Sequence, residues 1–469
     1  MKSVVYAVFL LLVPTACGSS DDASKGSRSN DGSVGNGGGG RGGAGNSAGR
    51  DASGGGGAGG GAAGGGAAGS GAAGGAGGAA GGTSGSGGVD GGIPDAGIPD
   101  APDLGPLPSW RQGVAKWQWV EIAGTSMTTV QVPDPFSGAM VAPTQRINAW
   151  NGLAANRDTD RVYLADAGGH ADWAGNEAYE IALHVDRPVW RLLRGPTMSP
   201  EASDGTRGIF HHYYADGRPS STHLYFALQF VRRYSRVFKM SSGSIWGTGN
   251  EANNKVDGFD LAKNDWDPAG TWAETPGGSP PSATADSPII ARPYAQHPDT
   301  EDIYTFFSGA FRKWTAASAT WSRLADRPSY ANNDIVSESP AAVDPVRNRV
   351  LFSMNQYRVS QRQGISYDIA LNTIADATYT GSSAAQAVGG SRGLVFVATE
   401  DVFLMKLPTG RVVLRIAPTN YEVTEQATTG PAPPDAVNGI YTRWLYLPRL
   451  KGIAYLPSGS SNMWFLATE

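Results

Sequence analysis

The 469-residue chain carries 37 Lys and Arg against 42 Asp and Glu, a formal net charge of -5. That balance argues against nucleic acid as a partner. The single cysteine excludes a disulfide framework and any Cys-based zinc cluster. After the N-terminal segment no apolar stretch is long enough to span a membrane.

Met1–Cys17 reads as an export signal: Lys2, an apolar run over Val4–Pro14, then small residues. Cys17, followed by Gly18, looks like the lipidated cysteine of a bacterial lipobox, with Pro14 standing where such signals usually carry Leu. The resemblance implies an exported lipoprotein of the outer membrane or cell surface, held to the membrane only through its lipid. More than half of the 66 glycines lie between Gly18 and Pro106, a stretch without one Trp, Tyr or Phe. Such a segment cannot bury enough apolar surface to offset its conformational entropy, so residues 18–106 are expected to be a disordered tether.

All 13 Trp fall within residues 107–469, the expected folded domain. Short runs rich in Val, Tyr and Phe alternate there with Gly, Pro, Asn and Asp, which reads as all-β. One unit recurs, an apolar strand, a polar turn and a second strand: residues 147–169, 221–240, 289–309, 337–355 and 438–457, with a weaker copy at 385–398. Several copies are followed by an aromatic and a bulky residue six residues apart in the intervening chain. Examples are Phe259 with Trp266, Trp314 with Trp321 and Tyr367 with Ile374, and Tyr179 with Trp190 as a longer version. Each unit is therefore four strands, and radially repeated four-stranded units make a β-propeller. At about 45–50 residues per blade the domain holds about seven blades. The last strand, ending in MWFLATE, is expected to share a blade with a strand near Trp117–Ile122. Gly168-Gly169, Tyr179 and Trp190 resemble the diglycine, Tyr and Trp of kelch-type propellers.

In a propeller, the starts of first strands and the ends of second strands converge on one mouth of the channel. Register places His170, His223, Tyr225 and Lys239 there, with Asn148, Trp150, Arg292, Tyr294, Glu338 and Tyr441 from the other blades. Residues two apart on a strand share a face, so His223 and Tyr225 are expected to point together. His211 and His212 belong to a loop crossing the mouth. His184, His297 and the Arg232-Arg233 pair fall in outer or bottom turns and read as ordinary turn residues. No His pair has metal-ligand spacing, so no metal or cofactor is assigned.

His, Tyr and a cation around a polar cleft suit removal of a proton next to a carboxylate, with the cation offsetting the growing charge. That is the β-elimination chemistry of lyases acting on uronic-acid polysaccharides. Trp150, Trp173, Tyr213, Tyr214 and Tyr441 are candidates for stacking on sugar rings.

Gly168-Gly169-His170, Asn176-Glu177-Ala178-Tyr179 and His223-Leu224-Tyr225 resemble motifs of exported bacterial kelch-like propellers that include ulvan lyases. The resemblance implies that His170 and Tyr225 carry the proton chemistry, with Lys239 as the basic residue at the second strand's end. Lys239 and Thr222 stand where that family more often has Arg. A copper radical oxidase, another kelch-type activity, needs a Tyr cross-linked to Cys within the domain, and Cys17 lies outside it. Two readings stay open: a monomeric polysaccharide lyase on an acidic glycan, or a non-catalytic module binding glycan or protein.

Overall fold

The computed structural model describes residues 102–169, 172–200, 212–247, 254–276, 291–307, 309–327, 337–354 and 364–469. The expected export signal, Cys17, the tether as far as residue 101, His170 and His211 lie outside the described residues.

Six four-stranded antiparallel sheets form a β-propeller. The first blade runs from its inner strand Ala154–Asn156 to the outer strand Trp190–Arg194, and the second from Leu228–Val231 to Asp265–Trp266. The third spans Tyr294–Gln296 to Thr320–Asp326, the fourth Ala341–Asp344 to Thr373–Asp376, and the fifth Gly393–Val397 to Val423–Glu425. The sixth begins with Trp444–Leu447, continues through Gly452–Tyr455 and Met463–Ala467, and takes Trp119–Ile122 as its outer strand. The ring is thus closed by Trp119 opposite Leu466 and Ile122 opposite Met463, as the sequence led one to expect.

The blade count is six, not about seven. The repeated sequence unit marks one inner hairpin per blade, and there are six such hairpins. Dividing length by a typical blade overcounts because connections such as that from Arg194 to Leu228 are longer than usual.

The aromatic spacing has a direct cause. Phe259 faces Trp266, Trp314 faces Trp321 and Tyr367 faces Ile374 across outer hairpins, so each pair is a cross-strand contact in register. The first blade differs: Trp190 faces Ile181, and Tyr179 faces Leu192.

Apolar clusters fill the spaces between blades, one of them joining Trp119, Trp444, Tyr455 and Leu466 where the ring closes. Trp119 and Trp444 are fully buried, with ring centroids 5.8 Å apart.

Candidate functional site

The segment preceding each inner strand turns over one mouth of the propeller. There the backbone adopts the same unusual conformation in five of six blades. Trp150, Tyr225, Glu338, Ser391 and Tyr441 have φ of 54°, 49°, 61°, 61° and 53°. A non-glycine residue in the left-handed region costs on the order of 1 kcal/mol, and bulky residues are rare there. The conformation is held by hydrogen bonds passed from blade to blade. The Tyr225 N–H donates to Trp150 O at 2.9 Å, Glu338 to Ala291 at 2.9 Å, Ser391 to Glu338 at 3.0 Å and Ile440 to Ser391 at 2.7 Å. Strain maintained by its surroundings is a mark of functional positions.

His223, Leu224 and Tyr225 precede the second blade's inner strand, which begins at Leu228, and so lie in a turn. Gly169 makes the approach possible. Its φ is 73°, and a Cβ there would stand 2.2 Å from Ser244 O and 2.6 Å from the His223 nitrogen. The Asp172 N–H donates to Gly169 O at 2.9 Å, and the Asp172 carboxylate lies at the mouth.

Three groups form a line. Asp172 Oδ2 lies 2.8 Å from His223 Nε2, and His223 Nδ1 lies 3.3 Å from the Tyr225 oxygen. With the Nε2 proton directed at the carboxylate, Nδ1 is left as an acceptor for the phenol. Trp150 stacks on the imidazole with centroids 5.0 Å apart, and Tyr441 meets Tyr225 edge to face at 5.3 Å. Asp172 is exposed and Trp150 half-buried, whereas Tyr225 is buried. Burial pushes the Tyr225 phenol well above its usual range; the nearby Glu338 and Asp172 charges add to this, while a hydrogen bond with Ser244 opposes it. The resting phenol is therefore protonated, and His223 Nδ1 is an acceptor within reach of its proton.

On the far side of the mouth the Ser391 hydroxyl donates to Glu338 Oε2 and lies 3.2 Å from the Tyr441 oxygen. Trp150, His223, Tyr225, Glu338 and Tyr441 are thus brought together. Asp172 and Ser391 join them without having been anticipated. The signal for Asp172 was its place three residues after the Gly168-Gly169 pair.

The other candidates lie elsewhere. Lys239 has no exposed surface; its ammonium pairs with Asp166 at 2.5 Å and donates to Ser220 O at 2.8 Å. It fixes blade packing and is out of contact with any molecule at the mouth. Arg292 is also buried, donating to Ser241 Oγ at 2.7 Å with its guanidinium 3.5 Å above the Phe307 ring. The Tyr294 hydroxyl is spent on Ser241 at 2.7 Å. Asn148 accepts from the Gly459 N–H at 3.2 Å and so joins the first blade to the sixth. Among the aromatics, Tyr214 is buried against Ala174 O, Tyr213 donates to Asp257, and Trp173 lies under the Arg146 guanidinium. Lys239, Arg292, Tyr294 and Asn148 were assigned to the mouth on register, and their side chains are instead taken up by contacts within and between blades.

The turn histidines conform to expectation. His184 Nδ1 meets Thr159 O at 2.9 Å, and His297 Nδ1 accepts from the Asp299 and Thr300 amides. Arg232 and Arg233 occupy the bottom turn, where Arg232 is more than a solvated charge: it pairs with Asp158 at 2.8 Å, and its N–H donates to Glu301 at 2.6 Å.

Fold and site together define a six-bladed β-propeller with a carboxylate–imidazole–phenol line at one mouth. No protein-family model and no curated protein matches the chain.

Proposed function

We propose that this protein is a polysaccharide lyase of the kelch-like, ulvan-lyase type, cleaving an acidic glycan by β-elimination. The observation that supports this reading is the Asp172–His223–Tyr225 line. His223 takes the phenol proton, and the resulting imidazolium is held by Asp172. The Tyr225 oxygen then removes the proton next to the uronate carboxylate. As the C–H bond breaks, the ring double bond forms and the glycosidic C–O bond is released; the leaving oxygen takes its proton from the protonated Tyr225 or His223. The imidazolium, rather than Lys239 or Arg292, offsets charge growing on the carboxylate. His170 is carried over from the resemblance as a second proton carrier. Lipidation at Cys17 would hold the enzyme on the outer surface, with the Gly-rich segment as tether.

The purified protein is mixed with uronic-acid polysaccharides, ulvan first, and the ultraviolet absorbance of the unsaturated product is followed. A rise that disappears in Tyr225→Phe is expected; no rise on any substrate overturns the lyase reading. The N-terminal peptide should carry a thioether-linked lipid that is lost in Cys17→Ser.

One observation favours a second reading, a glycan-binding module. Both cations assigned to the substrate, Lys239 and Arg292, are buried in the interior. Glycan binding without product formation would support it.

A further inference from the structure

The channel between the six inner strands reaches the face opposite the Asp172–His223–Tyr225 mouth and holds a cavity of about 430 Å³. Small-molecule sites typically have volumes of roughly 300–1,000 Å³. Alanines make the space: Ala154, Ala155, Ala295, Ala341 and Ala342 occupy strand positions where larger side chains would fill it. Buried Phe226, Tyr294 and Tyr441 line its inner end, so the Tyr441 ring separates the channel from the other mouth.

The far end is formed by the turns after the inner strands, and its charges are unevenly paired. Arg232 is committed to Asp158 and Glu301. Arg157, which lines the cavity beside it, makes no hydrogen bond or ion pair with any described residue. The Asp299 carboxylate, exposed at the cavity rim on the third blade, makes none either. Burial lowers the pKa of neighbouring His297, against the Asp299 and Asp302 charges that raise it, and its Nδ1 accepts backbone N–H groups. Burial lowers the Arg157 pKa while Tyr446, Asp299 and Asp158 favour its charged form, and Asp299 is out of ion-pair contact with it. A ligand carrying both charges can engage both groups at once. One with a single charge engages only Arg157 or only Asp299.

We propose that this end of the channel binds a small zwitterion with an apolar tail, its carboxylate on Arg157, its ammonium on Asp299 and its tail between the alanine-bearing strands. The proposal is independent of the reading given to the opposite mouth.

Calorimetric titration of the full chain with L-phenylalanine, phenylpropanoate and phenethylamine tests it. Saturable binding of L-phenylalanine is expected, about ten-fold or more tighter than either single-charge analogue. Arg157→Gln should weaken L-phenylalanine and phenylpropanoate by about ten-fold and leave phenethylamine unchanged; Asp299→Asn should do the reverse with the two analogues. Tyr225→Phe should alter none of the three. The proposal is overturned if L-phenylalanine does not bind, if the three bind equally, or if its affinity survives Arg157→Gln.

Discussion

His223 Nδ1 lies 3.3 Å from the phenol oxygen of Tyr225 because the chain joining them is a turn with Tyr225 in the left-handed region. An extended strand separates side chains two residues apart by roughly 6.6 Å along its axis. The strained ring of residues at the mouth is thus what brings two near neighbours in sequence within hydrogen-bond reach. Asp172, from the preceding blade, fixes which imidazole nitrogen is available for it.

Tyr225→Phe, His223→Asn and Asp172→Asn should each lower turnover, the first two by about 10²–10⁴-fold. The His223→Asn/Tyr225→Phe double variant should be little worse than either single, since groups acting as one unit are not additive. Initial rates of product absorbance measure this; multiplicative losses would mean that the two act separately.

Lys239→Met should unfold the protein more readily by about 3–5 kcal/mol, because it leaves the Asp166 carboxylate buried without its cation. The Lys239→Met/Asp166→Leu double variant should recover most of that loss in a urea titration. A residue that contacted substrate would instead lower turnover without affecting the urea midpoint.

Lys406 carries a pH-dependent penalty. It has no exposed surface, and burial pulls its pKa down to about 7, with Asp435 opposing. Between that value and the unfolded lysine value the unfolded chain binds more protons, so this term stabilises the fold as pH rises through that range. Lys406→Met should therefore raise the melting temperature most near or below neutral pH, with the advantage shrinking in alkaline buffer. Melting curves across that range decide it; a constant offset would show that Lys406 does not titrate there.

Ring closure can be measured at Trp119. It is fully buried on the sixth blade's outer strand, against Trp444 and Tyr455. Trp119→Ala should cost about 3–5 kcal/mol in equilibrium unfolding. An effect below about 1 kcal/mol would mean that the propeller does not depend on this strand.

Architecture was legible in the sequence because it rests on local chemistry. Alternating apolar runs and turn residues specify hairpins, and the fixed spacing of Phe259 with Trp266 or Trp314 with Trp321 is a cross-strand pair written along the chain. The pairing of the first and last strands could be read from their apolar pattern. Blade number followed the repeat copies rather than the length, since connections vary freely while inner hairpins do not. The site was legible only in part. The structure brings His223, Tyr225, Trp150, Glu338 and Tyr441 together, whereas Lys239, Arg292, Tyr294 and Asn148 make their contacts elsewhere. Strand periodicity says which side chains alternate, and it stops applying where the chain turns over the mouth. There the left-handed residues, the close approach at Gly169 and hydrogen bonds between blades set direction. Those contacts join residues tens of positions apart, so only the closed ring could decide that Asp172 faces His223 and that Lys239 faces Asp166.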